Sequence, residues 1–406
     1  RMLKILVVDD SALMRKVICD IISTDSNFCV ADVSADGLDA YNKIKNNPYD
    51  IVVLDMILPK MTGVQLMGKL NSEGIKANVI LVSSSLKEDA DSTVKAMEYG
   101  ALDFVVKPYR TTPESREEFS KQLLGSMRSV GRAASANRPR VARSTPSSTP
   151  ARTASSFSSS RQTLNSGASA FASAPSRTSS TASAAASLRQ ATASARNATA
   201  MVSKSTGNKG SFVKGKKIIA LACSTGGPQA LHTFVPMLPR TLKYPLVLVQ
   251  HMPAGFTASL ASRLNQISEI NVKEAEEGEF FEPGCVYITP GGKHMEICEN
   301  ASHEAYCHLN DGPPVNSLKP CADVMYQSLA DSSFEEIICV VLTGMGADGT
   351  EGIEYLSKSK STYVISQDAA TCVVYGMPKS VEQRGLSDEV KPLNEIAGAI
   401  IRKLGV

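Results

Sequence analysis

Two α/β units built on parallel sheets are the fold class that this sequence predicts, and three observations predict it. Short β-branched runs alternate with helix-like segments over the first 120 residues. The same alternation resumes at Lys216, and between the two lies a stretch, 131–211, from which large apolar residues almost vanish. A chain of 406 residues is expected to hold two or three domains at about 100–200 residues each. The boundaries read as 1–130, 131–211 and 212–406.

In the first unit, Ile5 to Val8, Ile51 to Leu54, Val79 to Val82 and Phe104 to Val106 suit buried parallel strands, with Cys29 to Val33 a weaker fifth. Ala12 to Ser23, Gly37 to Asn46, Val64 to Asn71, Ala90 to Tyr99 and Glu114 to Met127 read as the helices between and after them. Five strands alternating with helices imply a doubly wound five-stranded parallel sheet.

The middle segment carries 11 Lys+Arg and no Asp or Glu, so in a chain of net charge +3 the remaining residues hold −8. A Ser/Ala/Thr/Arg composition cannot bury enough apolar surface to offset the entropy of ordering, and a disordered basic linker is expected. At about 5–6 Å × √n, some 80 such residues would span roughly 50 Å. The longest apolar runs, Ile218 to Cys223 and Ile337 to Leu342, reach six residues, whereas a membrane helix needs about 20. The apolar run at Ile5 to Val8 is likewise too short for a secretory signal. Nine cysteines without zinc-ligand spacing read as reduced thiols, and a cytoplasmic location with no membrane insertion is expected.

The third unit is expected to be a mostly parallel, Rossmann-like α/β domain. Its strands are Ile218 to Ala222, Leu246 to Gln250, Val286 to Thr289, Ile337 to Leu342 and Tyr363 to Ser366. Its helices are Gln229 to Met237, Thr257 to Gln266, Cys321 to Ala330 and Glu395 to Leu404.

Ligands of open parallel sheets collect outside the carboxyl ends of the strands. In the first unit Asp9, Asp10, Asp55, Ser83 and Lys107 all fall there. Clustered carboxylates repel unless a cation sits among them, and an all-oxygen set favours Mg²⁺. A carboxylate beside Mg²⁺ and a Lys can accept a phosphoryl group. The segments VVDDS, VVLDMILPKMTG, VSSS and GALDFVVKP resemble a two-component receiver domain. The resemblance implies that Asp55 is the phospho-acceptor, and that Asp9, Asp10 and Asp55 with the Ile57 carbonyl hold Mg²⁺. It also makes Ser83, Phe104 and Lys107 switch residues and implies a cis bond before Pro108.

In the third unit, Ser224 follows a strand on a tight turn (LACSTGGP), His251 follows the next (VQHMPAGF), and Asp348 lies in a Gly-rich loop (LTGMGADGT). Serine is a weak nucleophile at neutral pH and needs a base, which needs an acceptor to fix its tautomer. Ser, His and Asp beyond three parallel strands can meet at one sheet edge. The order Ser, His, Asp is not that of α/β-hydrolases. The Met345 and Thr225 backbone N–H groups are candidate oxyanion donors. His294, His303 and His308 read as structural or surface residues.

The chain outside the linker resembles the chemotaxis response regulator protein-glutamate methylesterase (CheB-type) family through CSTGGP, QHMPAGFT, TPGGKHM, LTGMGADG and SQDAATCVVYGMP. The resemblance implies that Ser224 is the nucleophile, His251 the general base and Asp348 its orienting carboxylate. It implies demethylation of glutamate methyl esters, and deamidation of glutamines, on chemoreceptors, with no cofactor for ester hydrolysis and a chemotaxis histidine kinase as phosphodonor. Lys319 and Cys321 stand where Arg and Ser are expected in that family; a Lys lacks the bidentate fork of Arg. A receiver-controlled transcription factor is disfavoured, because the third unit shows no helix-turn-helix and no strong basic charge, so no nucleic acid is expected as partner. A non-catalytic scaffold is the remaining alternative.

Overall fold

The computed structural model describes residues 2–84, 87–108, 112–136 and 215–405. The linker read at 131–211 lies outside the described residues except for its first six. In the N-terminal unit, strands β1 (Leu3–Val8), β2 (Phe28–Ser34), β3 (Ile51–Asp55), β4 (Val79–Ser83) and β5 (Asp103–Val106) form one parallel sheet in the order β2-β1-β3-β4-β5. The pairings are parallel throughout: β1 with β2 and β3, β3 with β4, and β4 with β5. This doubly wound order reverses between β1 and β3, which is where such sheets hold ligands. Ile5, Leu6, Val7 and Val8 are all fully buried, and each such side chain contributes about 1.5–3 kcal/mol relative to exposure.

Local signals agree with the helices between them. Ser11 caps Ala12–Ser23, Asp36 caps Gly37–Asn46, and Thr62 with Gln65 forms a reciprocal capping box at Gly63–Ser72. The last helix of this unit, Pro113–Ala136, runs well past the expected end at Met127. Phe119, Leu123, Met127 and Val130 form one buried stripe at helical spacing, which carries the helix beyond residue 130.

In the C-terminal unit, β6 (Lys217–Cys223), β7 (Leu246–Gln250), β8 (Asn271–Glu274), β9 (Cys285–Ile288), β12 (Glu336–Val341), β13 (Ser361–Gln367) and β14 (Glu389–Lys391) form a seven-stranded sheet. Its order is β14-β13-β12-β6-β7-β9-β8 and its pairs are parallel. Strands β10 (His294–Glu299) and β11 (Ala305–Asn310) make an antiparallel hairpin beside it. The strand order reverses at β6, between β12 and β7.

Strands β8, β10, β11 and β14 and the helices Thr350–Leu356 and Met377–Gln383 were not expected from the sequence. Among the described residues the cis X–Pro bond is Lys319–Pro320, not the Lys107–Pro108 bond that the receiver resemblance implied. All nine cysteines are free. No described helix is long and apolar enough to cross a membrane.

Candidate active site

Ser224 sits one residue beyond β6, His251 one residue beyond β7, and Asp348 in the loop between β12 and the helix Thr350–Leu356. All three lie at the switch point of the sheet, where His251 and Asp348 are in contact. Two backbone bonds knit the strand ends: Ser224 N–H donates to the Thr343 carbonyl at 3.0 Å, and His251 N–H donates to the Cys223 carbonyl at 3.1 Å. Close approach requires glycine here. A Cβ on Gly344 would lie 2.9 Å from Ser224 Cβ and 2.3 Å from Met377 Sδ, and one on Gly227 would lie 1.9 Å from Gln250 Oε1.

His251 Nε2 pairs with Asp348 Oδ2 at 2.7 Å, with side chains 11% and 3% exposed. Asp348 is the most heavily bonded carboxylate of the site. Its Oδ2 also accepts Ala322 N–H at 2.6 Å, and its Oδ1 accepts the N–H groups of Asp323 and Gly349 and the Cys321 thiol at 3.0–3.1 Å. Burial alone would push this carboxyl up, but the His251 hydrogen bond and charge, with the Ala322 and Asp323 N–H groups, hold it well below the usual carboxylate range. Because a carboxylate only accepts, the proton of this bond belongs to His251 Nε2. His251 Nδ1 is then the basic ring nitrogen.

Among the described residues no hydrogen bond joins the Ser224 hydroxyl to His251. The Ser224 carbonyl accepts from Gly227 N–H at 2.7 Å and from Gln250 Nε2 at 3.1 Å, which fixes the turn rather than the hydroxyl. Met345, half-exposed, follows Gly344 beside Ser224, and Thr225 is buried. Cys321 lies against Asp348, where sequence reasoning marked it only as a departure from the family pattern. Lys319 instead donates to the Asp311 carbonyl at 3.0 Å. His294 is buried against the Pro313 carbonyl, while His303 and His308 face Glu299 and Glu277.

At the β1/β3 switch point, ligand atoms of Asp9, Asp10 and Asp55 all lie within 4.8 Å of one another. Lys107 Nζ stands 2.9 Å from Asp9 Oδ2 and 2.8 Å from Asp55 Oδ2. Burial raises the Asp55 carboxyl, Lys107 opposes that rise, and the Asp9 charge adds to it. Ser83 is fully buried and its hydroxyl accepts from Thr93 Oγ1 at 2.9 Å. Ile57 is exposed, and its N–H reaches Asp55 Oδ1 at 3.4 Å. Three carboxylates converging on one point beside a lysine form an oxygen donor set that fits a divalent cation such as Mg²⁺.

The two sites are joined by contacts that sequence reasoning missed. The Phe104 ring packs on Phe256 with centroids 4.7 Å apart. Arg263 donates through Nε and Nη2 to the two Glu98 carboxylate oxygens, both at 2.8 Å. Gly226 N–H donates to the Leu102 carbonyl at 2.9 Å, and Thr225 Oγ1 donates to Asp103 Oδ2 at 3.0 Å. The Ser129 hydroxyl meets Met345 Sδ. Pairings across such sequence separations leave no local signal.

Comparison with known proteins adds independent findings. Residues 219–400 match the family model described as CheB methylesterase, and residues 5–114 match that of the response regulator receiver domain. The protein-glutamate methylesterase/protein-glutamine glutaminase of Bacillus licheniformis is 36% identical over 400 residues, covering 98% of this chain and 98% of the relative. The protein of the same description from Pyrococcus horikoshii is 33% identical over 406 residues, covering 100% of this chain and 95% of the relative. The crystal structure of the Thermotoga maritima CheB methylesterase catalytic domain is 42% identical and covers 47% of this chain and 99% of that chain, with a TM-score of 0.45.

Proposed function

Because this chain belongs to the protein-glutamate methylesterase/protein-glutamine glutaminase family, we propose that it is a receiver-controlled serine esterase. It removes methyl groups from glutamate methyl esters of chemoreceptors and deamidates their glutamines. The observation that carries the reading is the 2.7 Å His251–Asp348 bond one strand end away from Ser224.

Ser224 Oγ attacks the ester carbonyl carbon and its proton passes to His251 Nδ1, the nitrogen left basic by the bond to Asp348. Asp348 stabilises the imidazolium. The backbone N–H groups of Met345 and Thr225 face the developing oxyanion. Collapse breaks the bond to methoxide, which leaves as methanol with the proton from His251. Water then attacks the acyl-enzyme, His251 again takes a proton, and glutamate is released with Ser224 restored. From a glutamine, the same sequence releases ammonia. No step calls for a cofactor.

Asp55 is the phospho-acceptor of the receiver, and a chemotaxis histidine kinase is the phosphodonor. Asp9, Asp10 and Asp55, with the Ile57 carbonyl, would hold Mg²⁺, which when bound neutralises charge on the incoming phosphoryl group. Lys107 and Ser83 then face the phosphorylated Asp55. The contacts of Leu102, Asp103 and Phe104 with the C-terminal unit support a closed state in which the receiver covers the Ser224 turn. Phosphorylation shifts the population to an open state, because it favours one of the two receiver conformations. On this reading the protein works in the cytoplasm, on receptors and a kinase rather than on nucleic acid or within the membrane.

The test is release of labelled methanol from methylated receptor membranes, with and without acetyl phosphate and Mg²⁺. The reading expects a higher rate with the phosphodonor. An identical rate in both arms would remove the receiver's control, and no release at all would remove the activity.

A further inference from the structure

We propose that Asp323, a buried acid outside the Ser224–His251–Asp348 set, is a positioning residue that fixes Asp348 and the loop that carries it. The inference rests on the assignment of those three residues. Asp323 lies in the first turn of the helix Ala322–Ser328 and is 5% exposed. Its backbone N–H donates to Asp348 Oδ1 at 3.0 Å. Its side-chain Oδ1 accepts Gly349 N–H at 3.0 Å and Gly352 N–H at 2.6 Å, at the start of the helix that follows Asp348. Gly349 N–H is shared, because it also reaches Asp348 Oδ1 at 3.0 Å. One residue thus holds the Asp348 loop from both sides, through its own N–H and through its carboxyl.

The packing leaves this arrangement little freedom. A Cβ on Gly352 would stand 2.8 Å from Asp323 Cα and 2.9 Å from Tyr326 Cβ, so the two helices meet backbone to backbone. The loop so tied carries both Asp348 and Met345, one serving the base and the other the oxyanion.

Asp323 is also crowded against other titratable groups. Ligand atoms of Cys321, Asp323 and Asp348 all lie within 4.8 Å of one another. The titratable groups facing Asp323 are Asp348 from the loop, the Cys321 thiol beside the helix start, and the Tyr326 hydroxyl, which is bonded to the Ala220 and Val340 carbonyls. Burial holds Cys321 and Tyr326 neutral. Two buried carboxylates this close do not ionise independently. Burial first, and then the charge on Asp348, pushes the Asp323 carboxyl up. A neutral Asp323 carboxyl still accepts from Gly349 and Gly352 through its carbonyl oxygen, so the hold on the loop does not depend on its charge.

The experiment is kcat and KM for methanol release from methylated receptor membranes, using the full chain with acetyl phosphate and Mg²⁺. Asp323→Asn keeps a side-chain acceptor for Gly349 and Gly352 but cannot ionise. It should retain kcat within about threefold of wild type, because the amide oxygen replaces the carboxyl as acceptor. Asp323→Ala should lower kcat by about ten- to a hundredfold with KM held within about twofold, because it releases the loop without touching substrate. A folded Asp323→Asn that loses as much kcat as Asp323→Ala overturns the proposal, as does wild-type kcat in a folded Asp323→Ala. Ser224→Ala separates this inference from its basis. If Ser224→Ala is inactive and Asp323→Ala keeps wild-type kcat, Asp323 alone loses its role; if Ser224→Ala is active, both readings fall.

Discussion

Thr225, the residue after Ser224, donates from Oγ1 to Asp103 Oδ2 of strand β5 at 3.0 Å, and Ser126 Oγ donates to the same oxygen at 2.8 Å. The nucleophile turn of one unit is therefore hydrogen-bonded to the receiver strand that carries Phe104 and leads to Lys107. Burial raises the Asp103 carboxyl above the usual carboxylate range, although Ser126, Thr225 and its neighbour Phe104 N–H all oppose the rise.

A pH dependence of the closed state follows. A carboxyl whose value is raised in the docked state contributes stability that is full below its ordinary range and is lost as pH rises through the raised value. Docking by Asp103 should then be tightest in acid and weaken toward neutral pH. Comparing basal rates of wild type and Asp103→Asn cancels the pH dependence of the chemistry itself, since the Ser224 site is common to both. The wild-type to variant ratio of basal methanol release should rise as the pH is taken from the ordinary carboxylate range toward neutral. A ratio that stays flat across that range would remove Asp103 from the latch.

The Arg263–Glu98 pair is bidentate, with side chains 32% and 25% exposed. Solvent screening limits such a pair to about 0.2–1 kcal/mol. Arg263→Ala should therefore raise the basal rate only about two- to fivefold, leaving the phosphorylated rate unchanged. The exchange of both residues, Arg263→Glu with Glu98→Arg, should recover part of the closed state. Basal methanol release without phosphodonor reads both.

The Phe104 ring, packed at 4.7 Å on Phe256, carries more of the contact. A ring pair is worth about 0.5–1.5 kcal/mol beyond its buried area. Phe104→Ala should raise the basal rate about three- to tenfold or more, given that tenfold corresponds to about 1.4 kcal/mol. An unchanged basal rate in a folded variant would show that the ring is not part of the latch.

Asp348→Asn tests the tautomer argument. The amide can donate to His251 Nε2, which would turn the imidazole to the wrong tautomer and leave Nδ1 protonated against Ser224. A loss in kcat on the order of 10³–10⁴-fold is expected, with KM nearly constant. Stopped or steady-state methanol release measures it, and a loss of tenfold or less would contradict the assigned role.

Much of this was legible in the sequence, because the strands that carry the site are the most buried ones. Ile5 to Val8, Ile51 to Leu54 and Leu246 to Val249 are unbroken apolar runs, and they lead to Asp9, Asp55 and, one residue further on, His251. The elements that escaped notice have weaker patterns. Strands β10 and β11 mix polar and apolar residues in a two-stranded hairpin, β14 has three residues, and Gly352 and Pro378 disguise the two short helices. Asp323 was hidden for another reason. An acid in the first turn of a helix reads as an ordinary partner of the helix dipole, and only the fold brings Asp348 and Gly352 against it. The interunit contacts of Asp103, Glu98 and Arg263 join positions more than 120 residues apart and have no periodicity to betray them.

The central claim is that Ser224 is the nucleophile of a methylesterase, and labelled methanol release from methylated receptor membranes by Ser224→Ala tests it most directly. With acetyl phosphate and Mg²⁺ present, the wild-type chain should release methanol while Ser224→Ala, folded and phosphorylated on Asp55, releases none above background. Wild-type release from Ser224→Ala would contradict the account.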